Sequence, residues 1–334
     1  MMKSAGVWGL GVILLAGPAC TRASTEANRV PLPVDSGAVR ESVEGNRSSL
    51  PTAPGEPKGV VVEPPARKQP SGEPEAVRAT PRWPASGAPL TLVSAHFPQG
   101  FGKQRVYLDA GHGAEGNTGN RSVTCEDEEV FTLRVAEDLA RRLEATGRFE
   151  VRLSRKSGQR VAYADRLTEA ERWGAHVLVS LHSDSRGMAQ PWSPAEGQEC
   201  NRQDATPGFS VLWSEEAEAP LKARRATLAR ALARNLSQVG FLHYDGVDYT
   251  GLYAADSAQA GVFVAREPTH RRIFVLRKPT IPSVIIETHH ALDFEEAARW
   301  REERTLEAFG SAVTQGLVDA FTPALVAAPQ MKSR

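Results

Sequence analysis

The sequence predicts an α/β domain of three layers, in which a mixed, mostly parallel central sheet of about six strands carries helices on both faces. Short apolar runs alternate with longer segments whose apolar residues recur three and four positions apart, the patterns of buried strands and amphipathic helices. Two of the apolar runs end in histidine, as expected where side chains gather at the carboxyl edge of an open sheet. The roughly 230 residues after the first hundred suit one domain with a substantial core.

Each element is predicted from one of these two patterns. Strands are expected at 104–109, 149–154, 176–181, 209–213 and 282–287, with a sixth at 261–264 or 273–276. Helices are expected at 127–146, 161–174, 220–239 and 294–321, the last of which should close the far side of the sheet. Residues 240–261 are predicted to form a loop that shapes a cleft, and the sequence shows no second folded module or repeat.

The first twenty residues read as an export signal. Lys3 precedes an apolar stretch at 7–15 that is too short to span a bilayer and is followed by small residues. The segment that ends at Cys20 resembles a bacterial lipoprotein processing site, which makes Cys20 the lipidated residue; cleavage without lipid, after Ala19 or Ala23, is the alternative. We therefore expect a protein of the periplasm or cell envelope that is anchored to the membrane as a lipoprotein.

A proline-rich linker is expected at residues 21–98. This segment has few apolar residues in any periodic order, so it cannot bury enough surface to offset the entropy of ordering. Such a stretch is extended and fairly stiff, and it would let an anchored domain reach a polymer lying away from the membrane. A folded domain at 99–325 and a disordered tail at 326–334 complete the chain.

The charge balance argues against nucleic acid as a partner. Lys and Arg together number 40 and Asp and Glu together number 40, so the formal net charge is zero. Binding to phosphates requires a concentrated basic surface. The basic stretches at 222–225 and 271–272 are interpreted as solvated faces, with contact to an anionic polymer as the alternative.

Two histidines are candidate metal ligands. His112 follows the apolar run 106–110 within a Gly-His-Gly turn, where glycine permits a sharp turn and close approach, and His182 ends the run 177–181. A catalytic zinc typically takes three protein ligands and keeps a fourth position for water. The acidic cluster at 126–129 offers the third ligand; the alternative is that each histidine is an ordinary satisfied polar residue.

Four short motifs follow one another along the chain. They are a strand ending in Gly-His-Gly at 106–113, a Glu at the start of a predicted helix, a strand ending in Ser-Leu-His at 177–182, and a strand ending in Glu-Thr at 282–288. In this order they resemble the zinc-dependent N-acetylmuramoyl-L-alanine amidases, a family of peptidoglycan hydrolases. The resemblance covers roughly residues 103–320 and depends on the order of all four motifs, because each alone occurs by chance.

The resemblance implies that Glu128 is the third zinc ligand, with His112 and His182. In the family the liganding Glu precedes a helix with Leu and Ala at fixed later positions, which match Leu133, Ala136, Leu139 and Leu143 when Glu128 is chosen. Glu126, Asp127 and Glu129 remain alternatives, and we interpret them as first-turn acids that complement the helix dipole.

The resemblance also assigns Glu287, which follows the apolar run 284–286, as the general base rather than a metal ligand. From the residues alone, a buried ion pair between Glu287 and a neighbouring arginine is the alternative. Arg277 matches a family Val-Leu-Arg and is predicted to hold Glu287 or to stabilise the developing oxyanion, with a solvated surface arginine as the alternative. Asp109 is also matched, and we interpret it as turn scaffold.

After Glu287 the chain departs from the family, with His289 and His290 where relatives have Gly-Phe-Leu-Ser-Asn. Because three ligands are already supplied, a substrate contact or a role at the rim of the site is expected for these two histidines rather than metal binding. The other histidines, which have no motif around them, are expected to be structural: His96, His176, His243 and His270.

Once Cys20 is set aside, Cys125 and Cys200 remain, and in an exported protein such a pair can oxidise. A disulfide would pin the polar stretch after His182 to the rim of the site, and residues 186–206 could occlude it. Two free thiols are the alternative, and thiolate zinc ligands are less consistent with the family site.

From the sequence we expect an amidase with one catalytic Zn²⁺ that cuts peptidoglycan between N-acetylmuramic acid and L-alanine. A zinc peptidase of similar build and a catalytically silent wall-binding lipoprotein are the alternatives. A catalytically silent protein should lack one of the three metal ligands or the general base. All four of these residues are present, which favours the enzyme.

Overall fold

The computed structural model describes residues 89–265 and 273–322. The predicted signal, Cys20, most of the predicted linker and the tail from residue 326 lie outside these ranges. None of the helices within them is both long and apolar enough to cross a bilayer.

The described residues form nine strands and six α-helices. The strands are β1 (Gln104–Ala110), β2 (Phe149–Leu153), β3 (Val177–Asp184), β4 (Gln190–Trp192), β5 (Cys200–Arg202), β6 (Ser210–Trp213), β7 (Tyr253–Ala255), β8 (Val262–Ala265) and β9 (Ser283–His290). The helices are α1 (Glu128–Ala145), α2 (Tyr163–Trp173), α3 (Ala219–Val239), α4 (Phe274–Arg277), α5 (Phe294–Arg299) and α6 (Glu303–Phe321), with a 3₁₀ turn at Val247–Tyr249.

Seven strands form the central sheet, in the order β2, β1, β3, β9, β6, β8, β7. Neighbours from β2 to β9 are parallel, β6 runs antiparallel to β9, and the edge strand β7 runs antiparallel to β8. The predicted fold, a mixed and mostly parallel sheet between helices, is confirmed. Because β1, β3 and β9 are adjacent and parallel, their carboxyl ends meet at one edge of the sheet.

Alternation of side chains along the strands divides the core between the two faces of the sheet. Val106 and Leu108 belong to the larger apolar cluster, which α1, α3 and α6 cover. Tyr107 and Leu178 belong to the second cluster, which includes residues of α2 and α4. Helices therefore cover both faces, while the edge at the carboxyl ends of β1, β3 and β9 is left for polar groups.

The structure differs from the sequence prediction in a few elements. The sixth strand is β8, while residues 274–277 form the helix α4. The helix predicted at 294–321 is divided into α5 and α6, because Trp300 turns between them into the core and packs against Phe131, Phe241 and Phe309. The short edge strand β7 and the hairpin of β4 and β5 were not predicted.

Packing of the chain begins before residue 99, where the linker was expected to end. Leu90 is 2% exposed, and the amide of Thr91 donates to the carbonyl oxygen of Val239 at 3.0 Å. The amide of His96 donates to Gln315 Oε1 at 2.8 Å. The sequence did not indicate these contacts, because the few anchoring residues stand among prolines and polar residues and have no periodicity of their own.

The segment 186–206, expected near the rim of the site, contains the hairpin and packs against α5. The rings of Trp192 and Phe294 lie 6.5 Å apart, and the guanidinium of Arg202 lies over both. The amide of Phe294 also donates to Asp204 Oδ1 at 3.1 Å.

A disulfide joins Cys125 to Cys200, whose Cα atoms are 5.6 Å apart, so the first of the predicted cysteine alternatives is confirmed. Cys200 begins β5, and Cys125 lies three residues before α1 with φ of 60°, a conformation that residues with a Cβ rarely adopt. The bond spans 75 residues of sequence and fastens the hairpin to the loop that leads into α1.

Replacing both cysteines by serine should lower the free energy of unfolding by about 2–4 kcal/mol, because the cross-link restricts the unfolded chain. Urea titration of the oxidised full-length protein measures the difference. Reductant should destabilise the wild-type protein by a similar amount and leave the double variant unchanged. Equal stability of the two oxidised proteins would contradict this prediction.

Candidate metal centre

The turn after β1 places His112 at the carboxyl edge of the sheet. His112 has φ of 59°, in the left-handed region that favours glycine. Two buried arginines bind the backbone around it: Arg166 Nη2 donates to the carbonyl oxygen of His112 at 2.6 Å, and Arg155 Nε donates to that of Ala110 at 3.0 Å. These bonds satisfy carbonyls that have left the sheet ladder and hold the turn in its strained form.

Glycine is required at two positions around the cluster. A Cβ on Gly111 would collide with the imidazole of His182. Gly119 has φ of 79°, and a Cβ there would lie 2.6 Å from Glu128 Oε2 and 2.7 Å from His112 Cδ2. Both glycines therefore permit the side chains of the cluster to approach one another.

The structure brings the three predicted ligands together. His112 Nε2 lies 3.0 Å from Glu128 Oε2, and His182 Nδ1 lies 3.1 Å from Glu128 Oε1. One potential ligand atom from each residue falls within 4.8 Å of the others. Glu128 is 3% exposed, while His112 and His182 are 20% and 13% exposed, so the carboxylate lies deeper and the imidazoles line the opening.

Several supporting residues were missed by the sequence analysis. His112 Nδ1 lies 2.6 Å from Asn117 Oδ1, a bond that leaves Nε2 free as a ligand atom when Nδ1 carries the proton. Asn120 donates to Glu128 Oε2 through its amide at 3.0 Å and its side chain at 2.9 Å, and the amide of Ser183 donates to Oε1 at 2.9 Å. The sequence signal that could have indicated these residues is the pair of asparagines, Asn117 and Asn120, around Gly119 in the turn before the acidic cluster.

The acidic neighbours of Glu128 have other partners. Glu129 pairs with Arg160, Asp127 Oδ1 lies 2.8 Å from Arg121 Nε, and Glu126 Oε2 lies 3.2 Å from Arg134 Nη2. Among these four adjacent acids, the structure turns Glu128 towards the two histidines.

The charges within the cluster suit cation binding. Burial alone would raise the pKa of Glu128, but hydrogen bonds with His112 and His182 outweigh it and hold that pKa well below its usual value. Burial also lowers the pKa of His112, whereas the hydrogen bond and charge of Glu128 raise it by more, so the net shift is upward. Glu128 therefore remains an anion, and His112 competes for a proton whenever a metal binds.

Glu287 lies beside this cluster. It is the Cα partner of His182 in the parallel pair of β3 and β9, and of Ser210 in the antiparallel pair of β9 and β6. Its Oε2 is buried and makes no hydrogen bond with the described residues. Burial, then the negative charges of Asp184 and Glu128, raise its pKa well above the usual value.

Asp109, interpreted from the sequence as turn scaffold, lies in β1 and supports the turn from below. It is 1% exposed and accepts hydrogen bonds from Ser180 Oγ at 2.6 Å and from Arg166 Nη1 at 2.9 Å. Because Arg166 also binds the carbonyl of His112, this buried ion pair connects two strands to the backbone of a predicted ligand.

Arg277 has an acidic partner outside the histidine cluster. It ends α4, which precedes β9, and Ser283 Oγ donates to the carbonyl oxygen of the neighbouring Leu276 at 3.1 Å. Four residues of extended strand, about 13 Å, separate Ser283 from Glu287. Arg277 Nη1 instead lies 3.9 Å from Glu216 Oε1. The role predicted for Arg277 in the reaction stays a prediction.

His289 and His290, expected to contact substrate or line the rim, are buried instead. His289 is 2% exposed, and its ring contacts those of Phe131 and Trp300 at centroid distances of 4.9 and 5.6 Å. His290 is fully buried, and its Nδ1 lies 3.4 Å from the carbonyl oxygen of Asp184. Burial lowers the pKa of both imidazoles, to about 4 for His290, so they behave as neutral core residues.

The fold and the cluster together define an α/β protein with three potential metal ligands grouped at the carboxyl edge of its sheet. Residues 106–319 match the model of the N-acetylmuramoyl-L-alanine amidase family, which is more than half of the chain. The chain therefore belongs to the N-acetylmuramoyl-L-alanine amidase family.

Individual relatives agree with this assignment. The chain is 24% identical over 221 residues to the probable N-acetylmuramoyl-L-alanine amidase AmiB of Haemophilus influenzae, covering 64% of this chain and 51% of that protein. It is 38% identical over 88 residues to a sporulation-specific N-acetylmuramoyl-L-alanine amidase of Bacillus subtilis, covering 25% of this chain and 32% of that protein. The chain thus spans about half or less of the length of these curated relatives.

Solved structures share the fold. The N-acetylmuramyl-L-alanine amidase of Mycobacterium smegmatis aligns with a TM-score of 0.51 at 19% identity, covering 65% of this chain and 96% of that one. The apo form of the corresponding amidase of Mycobacterium abscessus aligns with a TM-score of 0.51 at 16% identity, covering 66% and 100%.

Replacing Asn117 by alanine should weaken binding of Zn²⁺, the expected ion, about 10- to 100-fold, because the partner that orients His112 is lost. Competition titration with a zinc chelator measures the affinity. Asn201→Ala, on the exposed hairpin, is the matched control and should bind like the wild-type protein. Unchanged affinity in Asn117→Ala would contradict a supporting role for this residue.

Metal affinity should fall as the pH is lowered from neutral. The pKa of His112 is raised above its usual value, so protonation starts at a higher pH than for a free imidazole and removes the lone pair a metal needs. The pKa of Glu128 is lowered, so this carboxylate stays ionised over the same range. Zinc titrations between about pH 8 and 5.5 test this prediction, which constant affinity throughout would contradict.

Proposed function

We propose that this chain is a zinc-dependent amidase that hydrolyses the bond between N-acetylmuramic acid and L-alanine in peptidoglycan. One observation carries the proposal: in a chain of the amidase family, three potential ligands lie within 4.8 Å of one another and a partly buried carboxylate stands on the strand next to that of His182. The ligands are His112, Glu128 and His182, and the carboxylate is that of Glu287.

The donor set fits Zn²⁺. Two imidazole nitrogens and one carboxylate are the ligands of many catalytic zinc sites, which keep a further position for water or substrate. Glu128 stays ionised between the imidazoles, and Gly111 and Gly119 leave the space that a Cβ would fill. Asn117 accepts a hydrogen bond from His112 and Asn120 donates one to Glu128, as expected of residues that orient metal ligands.

Bound Zn²⁺ would act as a Lewis acid that polarises the amide carbonyl and makes water a stronger nucleophile. Glu287 takes a proton from the attacking water as the oxygen bonds to the carbonyl carbon. When the carbon–nitrogen bond breaks, Glu287 returns that proton to the nitrogen of L-alanine. The products are the lactyl carboxylic acid on the sugar and a peptide with a free amino group.

The environment of Glu287 suits both parts of this role. A carboxylate with an ordinary pKa would be a weak base near neutral pH, and it would hold the abstracted proton only briefly. Burial and the negative charges of Asp184 and Glu128 raise the pKa of Glu287, which strengthens it as a base. The Oε2 atom makes no hydrogen bond with the described residues, so it is available to the water and to the leaving amine.

The location of the substrate agrees with the leader sequence. A signal at residues 1–20 would export the chain, and lipidation of Cys20 would anchor it to the membrane with the proline-rich segment as tether. These segments lie outside the described residues, so this part of the proposal is supported by the sequence alone.

Replacing Glu287 by glutamine should leave zinc bound and reduce cleavage of purified peptidoglycan by at least about 100-fold, because the amide cannot accept the proton. Metal analysis and release of soluble fragments provide the two measurements. Glu129→Gln is the matched control: it removes an acid that pairs with Arg160, and it should cleave normally. Cleavage by Glu287→Gln at the wild-type rate would remove Glu287 from the mechanism.

Product analysis should identify the bond. An amidase releases whole stem peptides that begin with a free L-alanine amino group, whereas a zinc peptidase yields shortened peptides still joined to the sugar. Mass spectrometry of the digest distinguishes the two outcomes. Shortened peptides that are still attached to the sugar would contradict the amidase proposal and favour a zinc peptidase.

A further inference from the structure

A chain of polar groups lies next to Glu287 and has no part in the proposed metal site. Ser210 Oγ lies 2.9 Å from the hydroxyl of Tyr249, and that hydroxyl donates a short hydrogen bond to Asp184 Oδ2. The same carboxylate oxygen accepts from Arg186 Nε at 2.7 Å. We call this set, Ser210, Tyr249, Asp184 and Arg186, the tyrosine network.

The sheet places this network against Glu287. Ser210 is the Cα partner of Glu287 in an antiparallel pair, and side chains of directly opposed residues share one face of the sheet. Asp184 ends β3, two residues after the other Cα partner of Glu287. The network therefore joins the two strands that flank β9 on the side of the general base.

Buried aromatic rings and backbone carbonyls surround Tyr249 and Arg186 and restrict their movement. Tyr249 is 5% exposed, and its ring contacts those of Tyr244, Tyr253 and Phe263 at centroid distances of 4.8 to 4.9 Å. Arg186 is 3% exposed; its guanidinium stacks on Tyr244 and donates to the carbonyl oxygens of Thr206 and Gly208 at 3.0 and 2.8 Å. The carboxylate of Asp184 is therefore held by two buried donors, the hydroxyl of Tyr249 and the guanidinium of Arg186.

Glu287 lacks such a restraint of its own. Its Oε2 is buried, yet the described residues give it no hydrogen bond. A carboxylate with a free oxygen can turn about its side-chain bonds, and proton transfer is sensitive to an error of about 1 Å. Repulsion between the fixed carboxylate of Asp184 and that of Glu287 disfavours orientations in which Glu287 turns towards the network.

We propose that Tyr249 is a positioning residue for Glu287: by fixing Asp184, it keeps the carboxylate of Glu287 directed towards the cluster of His112, Glu128 and His182. This inference rests on the proposed amidase function. It assigns a role in the reaction to the loop between α3 and β8, which supplies Tyr249 and was predicted from the sequence only as the wall of a cleft.

Tyr249→Phe in the zinc-loaded full-length protein tests the inference, since it removes the hydroxyl and keeps the ring. We expect kcat for peptidoglycan cleavage to fall about tenfold with little change in KM or in bound zinc. Ser210→Ala, a milder change at the other end of the network, should lower kcat in the same direction by a smaller factor.

Tyr107→Phe is the matched control. Tyr107 is also buried in the second apolar cluster and donates to a carboxylate, that of Glu169, at 2.9 Å, but it has no contact with the network. It should retain the wild-type kcat. An equal loss in Tyr107→Phe, or unchanged kcat in Tyr249→Phe, would overturn the inference, and so would a loss that appears only in KM or zinc content.

A second measurement separates this inference from the proposed function. Crystal structures of the zinc-loaded wild-type protein, Tyr249→Phe and Tyr107→Phe show the orientation of the Glu287 carboxylate without any assay. A turned carboxylate in Tyr249→Phe alone supports the inference, and the same orientation in all three proteins refutes it. If the wild-type protein does not cleave peptidoglycan, the amidase proposal fails, and these structures still decide the role of Tyr249.

Discussion

The backbone of His112 is the constraint on which the site depends. A residue with a Cβ pays about 1–3 kcal/mol to occupy an unfavoured region of φ and ψ, and it does so only where its surroundings demand it. Here the surroundings are two buried guanidinium groups, those of Arg155 and Arg166, which bind the carbonyls of the turn. This turn allows β1 to stay in the sheet up to Ala110 while the imidazole of His112, two residues later, contacts Glu128.

A buried ion pair ties this turn to the rest of the fold. Burial raises the pKa of Asp109, but Arg166 and the hydroxyls of Ser180 and Ser154 lower that pKa by more. The net shift is downward, so the carboxylate stays ionised. Removing one partner of such a pair leaves an uncompensated charge, which typically costs about 3–5 kcal/mol. The same contacts therefore stabilise the sheet and determine where His112 points.

Negative charge gathers at the carboxyl edge of the sheet. Glu128, Asp184 and Glu287 lie near one another, and Arg186 pairs with Asp184. Such a concentration of carboxylates is unfavourable unless cations or protons balance it. A divalent ion at the histidine cluster would supply that balance and would favour the ionised form of Glu287, which can accept a proton. Binding of such an ion and protonation of Glu287 would therefore be electrostatically coupled.

The sequence by itself determined the fold class and the strands that precede His112 and carry His182 and Glu287. These depend on periodicity and local order, which a linear pattern contains. The choice of Glu128 among four adjacent acids depended on the resemblance to the amidase family. Only the tertiary structure decided that Arg277 lies near Glu216, that His289 and His290 are buried, and that Asn117, Asp184 and Tyr249 surround the site. Such contacts join residues far apart in sequence, because strand order and loop paths are set by packing of the whole core.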